Sequence, residues 1–285
     1  VTLSSSLPSA LAELPRLVAE AGGRRPAFFL DYDGTLTPIV ERPQDARLAA
    51  ATREVLRRLA VRAPVVVVSG RGREDVARLV DLPELTYAGS HGFDIEGPAL
   101  AGEGGPLRFR PAEDAEPAVR AVTEALERDL AGVPGAQVEP KRFTVAVHYR
   151  RVPEARVAEV EAAVDRRLAA HPGLRKTHGK KVYELRPDVD WDKGRAVLWL
   201  LAALGLDGPE VVPVYLGDDV TDEDAFRALG QRPGGGIGIL VAEAPRETAA
   251  RYRLRDPNEV RELLRQAAAA LAGGAAWTMH ESDER

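Results

Sequence analysis

Three short apolar runs, at residues 27–30, 65–68 and 211–216, each stop abruptly at a polar turn. Ala-Phe-Phe-Leu runs into Asp31, four consecutive valines run into Ser69-Gly70-Arg71, and the third run ends in Gly217-Asp218-Asp219. Runs this short, apolar throughout rather than alternating, suit strands covered on both faces, as in parallel sheets. Helical periodicity separates them. Leu48, Thr52, Val55, Leu56 and Leu59 line one stripe over 45–60, and further helices are predicted over 73–80, 193–204, 222–229 and 258–271. A last strand is predicted over 236–241. The alternation predicts an α/β fold, a parallel sheet wrapped by helices. In such sheets ligands gather at the carboxyl ends of the strands, which is where the polar turns fall.

The middle of the chain breaks this rhythm. Residues 97–106 are rich in Gly and Pro and read as a linker. A helix over 114–130, an alternating strand over 143–149, a helix over 153–170 and a strand over 181–185 follow. This stretch carries its own α and β elements, which predicts an insertion. Residues 1–106 and 188–285 then form a discontinuous core and residues 107–187 a smaller α/β cap. Before the first strand, Leu7, Leu11, Leu14, Leu17 and Val18 predict a helix over 7–22. The tail from Gly273 onward has no structural signature.

Composition narrows the function classes. The 285 residues carry 39 basic and 44 acidic side chains, a net charge of −5, so the chain lacks the basic footprint of a nucleic-acid binder. Cysteine is absent, which removes disulfides, thiolate metal sites and a cysteine nucleophile. The longest apolar stretch, 196–206, is far short of the ~18–20 residues of a membrane-spanning helix. Pro8, Glu13 and Pro15 break the N-terminal apolar positions and no basic run precedes them, unlike a signal peptide. The expectation is a cytoplasmic monomer.

Each polar turn has a chemical reading. In Asp31-Tyr32-Asp33-Gly34-Thr35-Leu36-Thr37, one carboxylate can attack phosphorus, and the other can protonate a leaving oxygen and later deprotonate water. Ser69-Gly70-Arg71 offers a hydroxyl and backbone N–H groups at a helix start, either a helix cap or a phosphate cradle. Lys193, in Asp192-Lys193-Gly194, can act as a point charge for a phosphoryl group. The run Gly217-Asp218-Asp219-Val220-Thr221-Asp222-Glu223-Asp224 packs five carboxylates into seven residues. Helix capping accounts for Thr221 to Asp224. It does not account for Asp218 and Asp219 at a strand end, where a hard cation would offset the charge.

These four motifs, in this order, resemble the haloacid dehalogenase superfamily of aspartate-nucleophile phosphatases. Within it, the first string continued to Pro38-Ile39, Ala88-Gly89-Ser90-His91-Gly92 and the acidic run continued to Ala225-Phe226 resemble the trehalose-6-phosphate phosphatase family. The similarity runs from about residue 26 to 260. It implies a discontinuous Rossmann-like core with an inserted cap and hydrolysis of a sugar phosphate. It also implies Mg²⁺ held by the Asp31 and Asp218 carboxylates and the Asp33 carbonyl, with Asp219 and Asp222 supporting the metal. Ser69, the Gly70 backbone and Lys193 would hold phosphoryl oxygens, and Arg71 would bind substrate beside them.

In the cap, Glu139-Pro140-Lys141 and Gly179-Lys180-Lys181-Val182-Tyr183-Glu184-Leu185-Arg186-Pro187 match the family's sugar-facing motifs. The resemblance assigns Glu139, Lys141 and Glu184 to the sugar, with His148, Lys181 and Arg186 as further candidates. Charged side chains make strong hydrogen bonds to a disaccharide's hydroxyls. Cap movement about hinges near 97–107 and 186–190 is implied as well. Sucrose-phosphate or mannosyl-phosphoglycerate as substrate, a non-catalytic sugar-phosphate sensor, and association with the synthase that makes trehalose 6-phosphate all stay open at this level.

Overall fold

The computed structural model describes residues 2–15, 23–40, 42, 45–99, 105–179 and 181–272. The elements in order are β1 (Thr2–Leu3), β2 (Arg25–Leu30), α1 (Ala50–Ala60), β3 (Val65–Val68), α2 (Arg73–Val80), β4 (Thr86–Gly89), β5 (Asp94–Ala99) and β6 (Pro106–Phe109). Then come α3 (Glu116–Leu130), β7 (Gln137–Pro140), β8 (Val145–His148), α4 (Val157–Ala169), β9 (Leu174–Gly179) and β10 (Val182–Pro187). The chain closes with α5 (Lys193–Ala203), β11 (Val211–Gly217), α6 (Asp222–Gln231), β12 (Ile237–Val241), β13 (Glu247–Thr248), β14 (Tyr252–Leu254) and α7 (Pro257–Ala272). They form two compact units, residues 1–108 with 192–285, and residues 109–191. Among the described residues no helix is long and apolar enough to cross a membrane.

The larger unit is built on a sheet ordered β14-β12-β11-β2-β3-β4-β5-β6. Pairing is parallel from β14 to β4 and antiparallel between β4 and β5. The core of the sheet is therefore parallel, as the sequence predicts, and β5 adds to it antiparallel. The apolar runs become the central strands, and both of their faces are covered. Phe28, Leu30, Val65, Val67 and Leu216 pack with Leu56, Leu59 and Leu264 of α1 and α7. On the other face Tyr215 meets Phe226 of α6 edge to face, at 5.7 Å between ring centroids. Pro213 is accommodated inside β11 because pairing with β12 begins one residue later, at Val214. Leu216 lies opposite Leu30, and Leu30 opposite Val67. That register delivers Asp31, Ser69 and Asp218 to one edge of the sheet.

Two segments differ from the sequence expectation. Residues 7–13 are not helical: Ser9 bridges Arg253, and the Ala10 N–H donates to the Arg253 carbonyl. Their backbone groups extend the β14 edge, so Leu11 reaches the core without a helix, and helical backbone begins only at Leu14. Residues 16–22 of that expected helix lie outside the described residues, as do 100–104 of the linker and the tail from Gly273. The linker's flanks are strands β5 and β6 instead of coil. Gly97 and Pro98 fit because the pairing of β5 with β4 ends at Glu96.

The smaller unit is a four-stranded antiparallel sheet ordered β7-β8-β10-β9. Val145, Val147, Tyr183 and Leu185 of the sheet pack with Val119, Val122 and Leu126 of α3 and with Val160 and Val164 of α4. Glu139, Ala146, Glu184 and Thr177 stand opposite one another across the strands. Cross-strand partners share a face, as do residues two apart. Glu139, His148, Glu184, Arg186 and Thr177 therefore share the face opposite that core.

Candidate active site

The center of the larger unit's site is a buried ammonium among carboxylates. Lys193 is the first residue of α5, a helix capped by the Asp192 side chain, which accepts the Arg195 N–H. Its Nζ donates to Asp31 Oδ1 at 2.8 Å and Asp222 Oδ1 at 2.6 Å. Tyr215 of β11 adds its hydroxyl to the same Asp222 oxygen at 2.7 Å, and the other Asp222 oxygen accepts the Asp219 N–H at 2.8 Å. Burial pushes the Asp31 carboxyl well above its usual range; Lys193 opposes this, and the Asp222 and Asp218 charges add to it. Burial works against the Lys193 ammonium, but Asp222 and Asp31 together hold it well above its ordinary value.

Asp218 completes the cluster. One carboxylate oxygen from each of Asp31, Asp218 and Asp222 lies within 4.8 Å of the other two. Asp218 Oδ1 is buried and accepts no hydrogen bond. Burial, then the Asp222 charge, pushes this carboxyl up to about 7 from an ordinary 3.8. An all-oxygen set with one buried, unsatisfied acceptor fits a hard cation. Gly34 makes room for it. Its φ is +83°, and a Cβ there would stand 2.1 Å from Asp218 Oδ2.

The remaining candidates surround this cluster. Asp33 faces Arg71, whose Nε and Nη2 donate to its two oxygens at 2.6 and 2.7 Å. Arg71 also donates to Asp75 at 3.0 Å and lies over the Tyr32 ring. The guanidinium expected to bind substrate grips Asp33 in this structure. Ser69 is buried, and its hydroxyl accepts the Arg71 N–H at 3.1 Å. Ser90 and His91 brace this loop from left-handed backbone positions, donating their N–H groups to the Arg71 and Ser69 carbonyls. The His91 ring lies against Gly70, 2.8 Å from where a Cβ would stand. Asp219 is exposed, and its side chain accepts the Val220 N–H.

In the smaller unit, Glu184 Oε1 accepts from Lys141 Nζ at 3.3 Å and from the buried Thr144 hydroxyl at 3.2 Å. His148 Nε2 lies 2.7 Å from Glu139 Oε2. Glu139, Lys141, His148 and Glu184 are thus brought together in two contacting pairs. Arg186 shares their face, but Lys181 does not join them. It turns through a left-handed φ of 65°, with its ammonium over the Tyr149 ring. Lys180 lies outside the described residues.

Sequence reasoning missed Tyr215, Thr144 and Arg246 as parts of these constellations. Tyr215 reads as one more apolar strand residue, and Thr144 and Arg246 carry no spacing signal.

The core fold has known counterparts. A haloacid dehalogenase-like hydrolase from Bacteroides thetaiotaomicron superposes with a TM-score of 0.59 at 15% identity, covering 86% of this chain and 100% of that one. The C-terminal domain of the C. albicans trehalose-6-phosphate phosphatase superposes with a TM-score of 0.71 at 23% identity, covering 92% and 98%. The fold is therefore that of the haloacid dehalogenase-like hydrolases. In sequence, the chain is 45% identical over 270 residues to the trehalose 6-phosphate phosphatase RA3 of Zea mays, covering 92% of this chain and 74% of that protein. The trehalose-phosphatase family model matches residues 29–258. The chain belongs to the trehalose-phosphatase family, whose members are phosphoric monoester hydrolases.

Proposed function

We propose that this chain hydrolyses trehalose 6-phosphate to trehalose and phosphate through an aspartyl-phosphate on Asp31. The observation that carries the reading is the pairing of Asp31, at the end of β2, with the buried Lys193 ammonium beside the unsatisfied Asp218 oxygen. Family membership supports the sugar phosphate as substrate. An Asp31 oxygen attacks phosphorus, and the bond from phosphorus to the sugar oxygen breaks. Asp33 supplies the proton that this oxygen takes up. Water then attacks phosphorus, Asp33 accepts its proton, and the bond to Asp31 breaks. The Arg71 fork occupies both Asp33 oxygens in this structure, so it must loosen before Asp33 reaches the sugar oxygen.

Lys193, Ser69 and the Gly70 backbone hold the phosphoryl oxygens. A magnesium ion held by the Asp31 and Asp218 carboxylates and the Asp33 carbonyl would neutralise phosphoryl charge. Asp222, whose two oxygens already accept protein hydrogen bonds, and Asp219 orient that set. In the smaller unit, Glu139, Lys141 and Glu184 read the sugar hydroxyls, with His148 and Arg186 beside them.

The test is an acid quench of the Asp33→Asn variant after mixing with ³²P-labelled trehalose 6-phosphate. Label on the peptide that contains Asp31 is the expected result. Release of labelled phosphate with no label on the protein would overturn the nucleophile assignment.

A further inference from the structure

The acidic run that ends β11 is held by a residue nearly thirty positions downstream. Arg246 Nη1 donates to the Asp218 carbonyl at 2.7 Å, and Nη2 reaches the Asp219 carbonyl at 3.2 Å and Glu223 Oε1 at 3.0 Å. Glu223, in the first turn of α6, is itself buried, and its other oxygen accepts the Ala249 N–H at 2.8 Å. One guanidinium therefore ties two consecutive carbonyls of the loop to the helix that follows it.

Arg246 is in turn fixed through its own backbone. Its N–H donates to the Ser4 hydroxyl at 2.9 Å, and its carbonyl accepts the Ser4 N–H at 2.8 Å. Ser4 is buried at the end of β1, which pairs with β13 as Leu3 opposite Glu247 and Thr2 opposite Thr248. A planar fork makes fixed directional bonds that an ammonium cannot reproduce. The Asp218 carbonyl is a few bonds from the carboxylate it carries, so fixing the one aims the other.

We propose that Arg246 is a positioning residue for cation binding. It holds the Asp218–Asp219 backbone so that the Asp218 carboxylate faces Asp31, and the Ser4 segment holds Arg246. The inference rests on the cation reading of the acidic cluster. It extends the working site to β1 and β13, which touch none of the reacting groups.

The experiment is a Mn²⁺ titration followed by electron paramagnetic resonance on the full chain, with steady-state kinetics alongside. Arg246→Ala is expected to bind Mn²⁺ about 10–100-fold more weakly. Arg246→Lys should recover part of the loss, and saturating Mn²⁺ should return kcat most of the way to wild type. Wild-type affinity in Arg246→Ala would overturn the proposal, as would a kcat loss that saturating cation leaves in place. If Arg246→Ala does not fold, Ser4→Ala serves. It removes one neutral hydrogen bond and should weaken Mn²⁺ binding by about fivefold, and unchanged affinity there would equally overturn the proposal. Absence of Mn²⁺ binding by the wild type is a separate outcome, which overturns the cation reading itself.

Discussion

Replacing Lys193 with methionine keeps the length of the side chain and removes its charge. In the wild type this ammonium is 3% exposed and sits 2.8 Å from Asp31 and 2.6 Å from Asp222. Without it, those two carboxylates and Asp218 face one another with no protein cation among them. Removing one partner of a buried ion pair costs about 3–5 kcal/mol, because the other partner is left desolvated and uncompensated. For a unit of roughly 200 residues, about 2–4 °C of Tm follow each kcal/mol, so Tm in EDTA should fall by ~6–20 °C. The sign of the pH dependence follows from the carboxyls. Asp31 and Asp218 already have raised values, so protonation relieves the repulsion. The deficit relative to wild type should be smallest near pH 5 and largest near pH 8. Added Mg²⁺ should recover part of it by supplying the missing charge. The assay is scanning calorimetry of both proteins at two pH values, with EDTA or Mg²⁺. A Lys193→Met protein that melts within about 2 °C of wild type in EDTA at pH 8 would refute the reasoning.

Asp33→Asn should cut turnover by about 10²–10⁴-fold while Tm changes little, because Asp33 is half-exposed and Arg71 keeps its bond to Asp75. Near-wild-type turnover would remove its acid–base role. Glu184→Gln should lower kcat/KM for trehalose 6-phosphate by about 10–100-fold, the loss of a charge-assisted hydrogen bond, and change hydrolysis of a small aryl phosphate by about twofold or less. Equal losses on both substrates would argue against sugar reading. Because Asp218 titrates near 7, a proton competes with the cation, and Mn²⁺ affinity should drop by about tenfold for each pH unit below that value. A flat affinity from pH 5 to 8 would contradict it. In EDTA the same raised carboxyl favours the fold most below its ordinary 3.8 and loses that contribution as pH rises to about 7. Wild type should therefore gain stability relative to Asp218→Asn as pH falls.

The parts of the fold legible in the sequence are those whose residues announce their surroundings. Four consecutive valines need two apolar faces, and β3 has them. The Asp31, Ser69 and Asp218 turns follow strands that share a register, so one sheet edge gathers all three. Among the strands missed, β7 and β9 carry charged residues and no apolar run. β9 reads Leu-Arg-Lys-Thr-His-Gly, and β7 ends in proline. Both are held by pairing with a better neighbour, a cause that a window of sequence does not contain. The N-terminal leucines lie on a helical stripe, yet Pro8 and Ala10 exchange backbone hydrogen bonds with Arg253 of β14, some 240 residues away.

The site divides in the same way. Asp31, Lys193 and Asp218 are visible because carboxylates and a lysine beside apolar runs are unusual. The grip of Arg71 on Asp33 is not visible, because Arg71 reads equally well as a phosphate ligand. Arg246 and Thr144 act through contacts 28 and 40 residues distant in the chain. Nothing local marks them.

The central claim is that this chain removes phosphate from trehalose 6-phosphate with Asp31 as nucleophile. The direct measurement is phosphate release by wild type and Asp31→Asn, with Mg²⁺ or EDTA, from trehalose 6-phosphate, sucrose 6-phosphate, glucose 6-phosphate and an aryl phosphate. The account predicts strong, Mg²⁺-dependent preference for trehalose 6-phosphate and no turnover by the variant, which stays folded. Activity in Asp31→Asn, or a wild type that ignores trehalose 6-phosphate while hydrolysing another of the four, would contradict it.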